Sequence, residues 1–498
     1  MPDMVQDGTP LSAVDTAWLH MEDPTNLMMV TGLFVVDGPL NVELLRTTLH
    51  ERMTERFPRL THRVRQDGSS AFWEKDVTFD LGAHVHRMAL PRPGGLGALR
   101  DVVSDLMSMP LDFSKPLWQC HLIEDVGKGS AVLMRVHHCI GDGLALGHVL
   151  LSLTDQVPWV ESHAVPGFRR PLEDHIADHV GWLADKAAAA VEVAVRAGLQ
   201  VGHLVGEGVG AVRHPSRLLE FTLSAAQSAT VFFDMLMRPS DSLTPLRGPL
   251  GVSKRAAWSR AFSLADVKAV GARAGATVND VLLAAVAGGL RRFLARRGVR
   301  TRGLEIHAMV PVNLRRPELA DDLGNRFGLI YVSLPVGVAD RGERLELVKQ
   351  RMTAIKRSPE SIVGFQLLEA LGLAPRKVAE VFVNLFGSKS TAVMTNVIGP
   401  DRPVYFCGRR VGTVMFWVPQ SGRMGLGVSI FSYDGRVVVG VSTDRGLVPD
   451  PESLVAVFES EFAALRAWAK GQPRAAAPAA PKQSIRSRRN HPKREAVP

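Results

Sequence analysis

Two adjacent histidines, His137 and His138, stand in the string Val136-His137-His138-Cys139-Ile140-Gly141-Asp142-Gly143, between an apolar run from Ala131 to Val136 and another from Leu144 to Leu153. The pattern predicts a strand that ends at the histidines and a turn that opens a helix. Imidazole titrates near neutrality, so a histidine fixed at a strand end can take the proton from a hydroxyl as that oxygen attacks an electrophile. Gly141 and Gly143 suit the tight turn. Asp142 suits capping of the following helix or pairing with an arginine, and either would fix the imidazole without the carboxylate touching substrate. The alternative reading is a pair of strand-end histidines buried for packing.

Other chemistries lack their local marks. No Gly-x-x-x-x-Gly-Lys-Ser/Thr string and no Gly-x-Ser-x-Gly elbow occurs, which counts against phosphoryl transfer and serine hydrolysis. Cys120, Cys139 and Cys407 are odd in number and match neither a zinc site nor a disulfide framework, a usage that points to a reducing compartment. His175 and His179 share a helical face, but Ile176 stands where a zinc-hydrolase helix needs Glu, so no metal is expected. His84 and His86 are expected to face solvent from a strand.

The elements that must hold these groups are mixed. Strand-like runs (Met29 to Val36, Ala131 to His137) alternate with helix-like ones (Val42 to Phe57, Leu96 to Ser108) up to about residue 160. Two long Ala-rich stretches follow, Leu172 to Val212 and Arg217 to Met237. From about 250 the mixture returns, with a helix over Val278 to Ala295, strands near Glu305 to Val312, Gly328 to Leu334, Thr413 to Phe416 and Gly425 to Tyr433, and a last helix from Pro451 to Ala469. The expected organisation is a mixed α/β (α+β) fold. Two lobes, 1–165 and 246–471, are joined by a helical crossover, 166–245, and followed by a basic tail, 472–498.

The 498 residues are 46% hydrophobic and 22% charged, enough for a sizeable core. Of the net charge of +9, six units sit in the tail, whose Pro, Ala, Ser and basic residues cannot bury enough apolar surface to fold. The remaining body lacks the interleaved aromatics and cations of a nucleic-acid surface. The N-terminus carries no basic and apolar leader, and the apolar stretch Phe221 to Phe233 is shorter than the ~18 residues of a spanning helix. The expected location is cytoplasmic. The Ala-rich crossover has apolar residues enough either to rest on a lipid surface or to pack on the lobes.

The His-His-x-x-x-Asp-Gly string resembles that of the chloramphenicol acetyltransferase superfamily. Pro116-Leu117-Trp118, Asn279-Asp280 and the opening Leu11-Ser12-Ala13-Val14-Asp15 narrow the resemblance to the bacterial wax ester synthase/diacylglycerol acyltransferase family. So do Pro311-Val312-Asn313-Leu314-Arg315, Gly324-Asn325 and Asn396-Val397-Ile398-Gly399-Pro400. The resemblance implies two acetyltransferase-like lobes around a tunnel, acyl-CoA as a substrate rather than a cofactor, and diacylglycerol or a fatty alcohol as acceptor. It also implies peripheral contact with a membrane or lipid droplet. His138 takes the place of the general base, His137 orients the loop, and Asp142 is structural, held by Arg315.

Bland readings stand beside these. Trp118 can be a core aromatic, and Asn279 can be a helix N-cap with Asp280 in the first turn. Arg291, Arg292, Arg296 and Arg297 can be a solvated face or a clamp for CoA phosphates. A carrier-protein-dependent acyltransferase and a non-catalytic lipid-binding protein are the competing functions.

Overall fold

The computed structural model describes residues 8–68, 70–157, 230–315 and 323–471. Most of the expected crossover, all of the basic tail, and His175 and His179 lie outside the described residues.

The apolar runs build two seven-stranded sheets. In the first, Met29–Val36 lies between Gly129–His137 and Arg409–Trp417, antiparallel to both, with Met29 opposite His137 and Thr31 opposite Trp417. Trp118–Val126 and Val85–Ala89 extend the sheet beyond Gly129–His137. Residues 130–137 are buried without interruption, as expected of a strand covered on both faces, and this explains why the run shows no polar alternation. In the second sheet, Ala392–Ile398 runs parallel to both Ile306–Asn313 and Leu426–Tyr433, while Phe327–Leu334 and Arg436–Asp444 lie outside them.

Two strands cross between the halves, the short Tyr405–Phe406 and the longer Arg409–Trp417. Arg409–Trp417 lies in sequence among the strands of the second sheet, yet it pairs with the first and puts Met415, Phe416 and Trp417 into the core of that half.

The second core is organised by the helix Val278–Arg296, which packs beside the helix Pro451–Lys470 against the sheet. Thr277 Oγ1 accepts from the Asp280 N–H at 3.2 Å and Asp280 Oδ2 accepts from the Thr277 N–H at 2.9 Å, a reciprocal capping box. Thr277 is therefore the N-cap, and Asn279 sits inside the first turn instead. Each Val or Leu this helix buries contributes ~1.5–3 kcal/mol. Gly289 lets the two helices touch, because a Cβ there would come within 3.2 Å of the Phe458 Cα.

Three of the four helix arginines are bound into this packing. Arg291 donates to the Gly337 carbonyl at 3.0 Å, Arg292 meets buried Glu461 at 2.6 Å, and Arg297 meets Asp450 at 2.5 Å. Arg296 and Arg297 stay exposed at the end of the helix, which therefore keeps a solvated face there. His84 also differs from expectation. It is buried, with its Nδ1 2.8 Å from the Trp118 carbonyl, and His86 stacks on buried His121.

Candidate active site

The strand Gly129–His137 delivers both histidines, but to different surroundings. The Cys139 N–H donates to His137 Nδ1 at 3.1 Å, its Nε2 lies 3.4 Å from a Glu22 carboxylate oxygen, and the Phe113 ring meets it edge-on. His137 thus braces the loop. His138 instead forms part of the wall of a cavity of about 280 Å³, lined mainly by apolar side chains such as Met21, Met235, Met309, Leu329 and Phe386.

Four contacts fix the His138 residue. Its N–H donates to the Met28 carbonyl at 2.7 Å, the Trp18 ring stacks on the imidazole at 3.9 Å and 16°, and Phe327 lies at 5.7 Å. On the ring edge, Nδ1 is 2.8 Å from Asn325 Oδ1. The amide's nitrogen end is occupied, because Nδ2 donates to Asp15 Oδ1 at 2.8 Å and to the His138 carbonyl at 2.7 Å. An amide oxygen only accepts, so Nδ1 carries the hydrogen and Nε2 keeps the lone pair. Burial pushes the His138 pKa down to about 4, against the opposing pull of the Asp142 charge. The imidazole is therefore neutral at pH 7 and able to accept a proton.

Asp142 is satisfied on both oxygens. Oδ1 caps the helix Gly143–Ser152 by accepting from Leu144 and Ala145 N–H groups at 3.1 and 2.9 Å. Oδ2 accepts from Arg315 Nη2 at 3.0 Å and from the Arg326 N–H at 2.9 Å. Both alternatives read from the sequence, cap and arginine partner, are thus present together. Neither of the two glycines takes a left-handed φ. Gly141 serves close approach, pairing with Gly324 where a Cβ would meet Ala145 at 3.2 Å, whereas a Cβ on Gly143 meets nothing within 4 Å.

Pro116, Leu117 and Trp118 stand behind the histidines rather than in the cavity. The Leu117 carbonyl accepts from the His137 N–H at 2.9 Å, and buried Trp118 donates from Nε1 to the Leu60 carbonyl at 2.7 Å. Trp118 is a core aromatic. Asn279 Oδ1 accepts from Asn396 Nδ2 at 3.1 Å, and Asn396 borders the cavity, so two separate strings of the sequence meet at its rim. Asp280 is turned to its capping box. Among the described residues no group of three or more His, Cys, Asp or Glu could hold a metal ion.

The model of the Wax ester synthase/diacylglycerol acyltransferase catalytic domain matches residues 11–282, more than half of the chain, and that of the WS/DGAT C-terminal domain matches 323–466. The chain belongs to the wax ester synthase/diacylglycerol acyltransferase family. A probable diacylglycerol O-acyltransferase of Mycobacterium tuberculosis is 29% identical over 92% of this chain and 96% of its own length. The O-acyltransferase WSD of Acinetobacter baylyi is 25% identical over 91% and 96%. Among solved structures, the wax ester synthase/diacylglycerol acyltransferase of Marinobacter aquaeolei superposes with a TM-score of 0.65 at 23% identity, covering 93% of this chain and 100% of that one. The first condensation domain of the calcium-dependent antibiotic synthetase superposes at 0.55 with 15% identity, over 94% and 98%. The chain thus shares its fold with a condensation domain as well, along 94% of its length.

Sequence reasoning singled out His138, Asp142 and Arg315, and the structure brings them together. It missed Trp18, Asn325 and Phe327 as groups around the imidazole. Asp15 and Asn325 did stand in strings that carried the family resemblance, which was the one available signal.

Proposed function

We propose that this protein is an acyltransferase that moves a long acyl chain from acyl-CoA to diacylglycerol, forming triacylglycerol, and that it accepts long-chain alcohols as second acceptors. The observation that carries the reading is His138: neutral, tautomerically fixed, and set in the wall of an apolar cavity. In the reaction, His138 Nε2 takes the proton of the acceptor hydroxyl as its oxygen attacks the thioester carbonyl. The tetrahedral oxyanion collapses with cleavage of the C–S bond, and the imidazolium returns the proton to the CoA thiolate.

A covalent acyl-enzyme is not needed, and the nearest thiol is unsuited to form one. Cys139 is fully buried, and burial pushes its pKa well above the usual thiol range. The two lobes are taken as 1–165 and 246–471, both of which supply groups around the base.

The same reading includes peripheral contact with a membrane or lipid droplet. Among the described residues no single helix is long and apolar enough to cross a membrane. What supports surface contact is the helix Arg376–Gly387. Its Phe382, Val383 and Phe386 line the cavity, while Val378 and Val381, with Leu373 just before it, stay exposed.

The test is free-thiol release from palmitoyl-CoA by the purified chain, with dioleoylglycerol, hexadecanol or no acceptor. Acceptor-dependent release with matching ester product is expected. Release that ignores the acceptor, or none at all, would contradict the reading.

A further inference from the structure

The helix Ala13–Met21 begins where Ser12 Oγ accepts from the Asp15 N–H at 3.1 Å, and its inward face carries Asp15 and Trp18, three residues apart and hence on one side. Trp18 lies flat on the His138 ring. Asp15 is buried at 1% exposure, and its carboxylate has Asn325 and Arg59 as polar partners. Its Oδ1 accepts twice from one residue, the N–H of Asn325 at 3.1 Å and its Nδ2 at 2.8 Å, while Oδ2 lies 3.4 Å from Arg59 Nη1.

A carboxylate accepts and cannot donate, so it takes the nitrogen end of the Asn325 amide and leaves the oxygen end for His138. Were the amide reversed, Nδ2 would face Nδ1, the hydrogen would move to Nε2, and the nitrogen in the cavity would no longer be a base. Gly324 makes the turn that presents Asn325: its φ is 117°, and a Cβ there would come within 3.2 Å of Arg59 Nη1. The same Arg59 nitrogen donates to the Ile140 carbonyl at 3.1 Å, in the loop after the histidines.

We propose that Asp15, Asn325 and Trp18 are positioning residues for His138, with Asp15 setting the Asn325 amide, the amide setting the imidazole tautomer and Trp18 setting the ring plane. Asp15, Trp18 and His138 belong to the first 150 residues and Asn325 precedes the strand Phe327–Leu334 of the second sheet. The base is therefore complete only when these two parts of the chain are docked. The inference rests on His138 acting as the base.

The experiment is steady-state kinetics on the full chain for Asn325→Leu and for the near-isosteric Asp15→Leu, which removes the acceptor, each made alone and in a His138→Ala background. Thermal midpoints are recorded beside the rates. Asn325→Leu should lower kcat on the order of 100-fold with KM for acyl-CoA within about threefold, and Asp15→Leu about tenfold, as for groups that orient a reacting residue. Neither should lower the residual rate of His138→Ala any further, since both act through that ring. If Asn325→Leu does not fold, Asp15→Leu carries the same comparison.

Full kcat in either folded variant overturns the inference, and so does a fall that persists in the His138→Ala background. Wild-type turnover by His138→Ala itself would instead remove the base on which the inference stands, so the two failures are distinguishable.

Discussion

The guanidinium of Arg315 lies 3.0 Å from the Asp142 carboxylate, with both side chains buried, and the same Arg315 nitrogen donates to the Gly324 carbonyl at 2.7 Å. One ion pair thus ties the turn after the histidines to the segment that presents Asn325. Arg315→Met would leave the Asp142 charge buried and short of a partner, at a cost of about 3–5 kcal/mol. Urea denaturation should show that loss. Acyl transfer should fall with it, because Asp142 caps the helix that follows the base. Unchanged stability and turnover would show that the pair does not hold the loop.

Activity should have an acid limb set by His138. Its folded pKa, pushed down to about 4 by burial, keeps the ring neutral from pH 8 to below pH 6. The kcat/KM profile, which reports the free enzyme, should be flat over that span and fall as pH approaches 4, where Nε2 becomes protonated. A half-maximal point near 6.5, the value of an unperturbed imidazole, would contradict the buried, neutral ring.

Stability should also decline in mild acid, for a separate reason. His121 is buried, neither ring nitrogen has a hydrogen-bond partner among the described residues, and burial, helped by the Arg135 charge, pushes its pKa down to about 3. Between that value and ~6.5 the unfolded chain binds the proton and the folded chain does not. The stability this neutral ring contributes is complete above pH ~6.5 and is lost as pH falls, with a slope of about 1.4 kcal/mol per pH unit. Urea midpoints from pH 7 to 4.5 should flatten in His121→Leu relative to wild type.

Exposed Val381 and Leu373 should matter only when the acceptor is in a lipid phase. Val381→Glu with Leu373→Glu should weaken flotation with phosphatidylcholine vesicles holding dioleoylglycerol and slow transfer to that acceptor at least fivefold. Transfer to a dispersed short-chain alcohol should stay within about twofold. Equal slowing on both acceptors would place the defect in the cavity and not at the surface.

Much of the site was legible because it is local. His137, His138, Gly141 and Asp142 share a single strand-turn-helix string, and the Asp142 cap follows from residue type and position alone. The parts that were not legible depend on distant residues meeting. Asn325 and Asp15 are 310 residues apart in the chain, and nothing in either neighbourhood states that one orients the other. The strand Arg409–Trp417 was readable as a strand, but alternation does not name the sheet that a strand joins. His84 was misplaced for the same reason: its polar type suggested solvent, whereas the Trp118 carbonyl and ring that satisfy and cover it come from a different strand.

The most direct test of the central claim is single-turnover acyl transfer by His138→Ala, compared with His137→Ala, with acyl-CoA binding measured in both folded variants. Loss of the base should slow the chemical step by 10²–10⁴-fold while acyl-CoA still binds, and loss of His137, which braces the loop from outside the cavity, should slow it far less. A His138→Ala variant that turns over within tenfold of wild type, or a His137→Ala variant that is equally inactive with its fold intact, would contradict the assignment of His138 as the base.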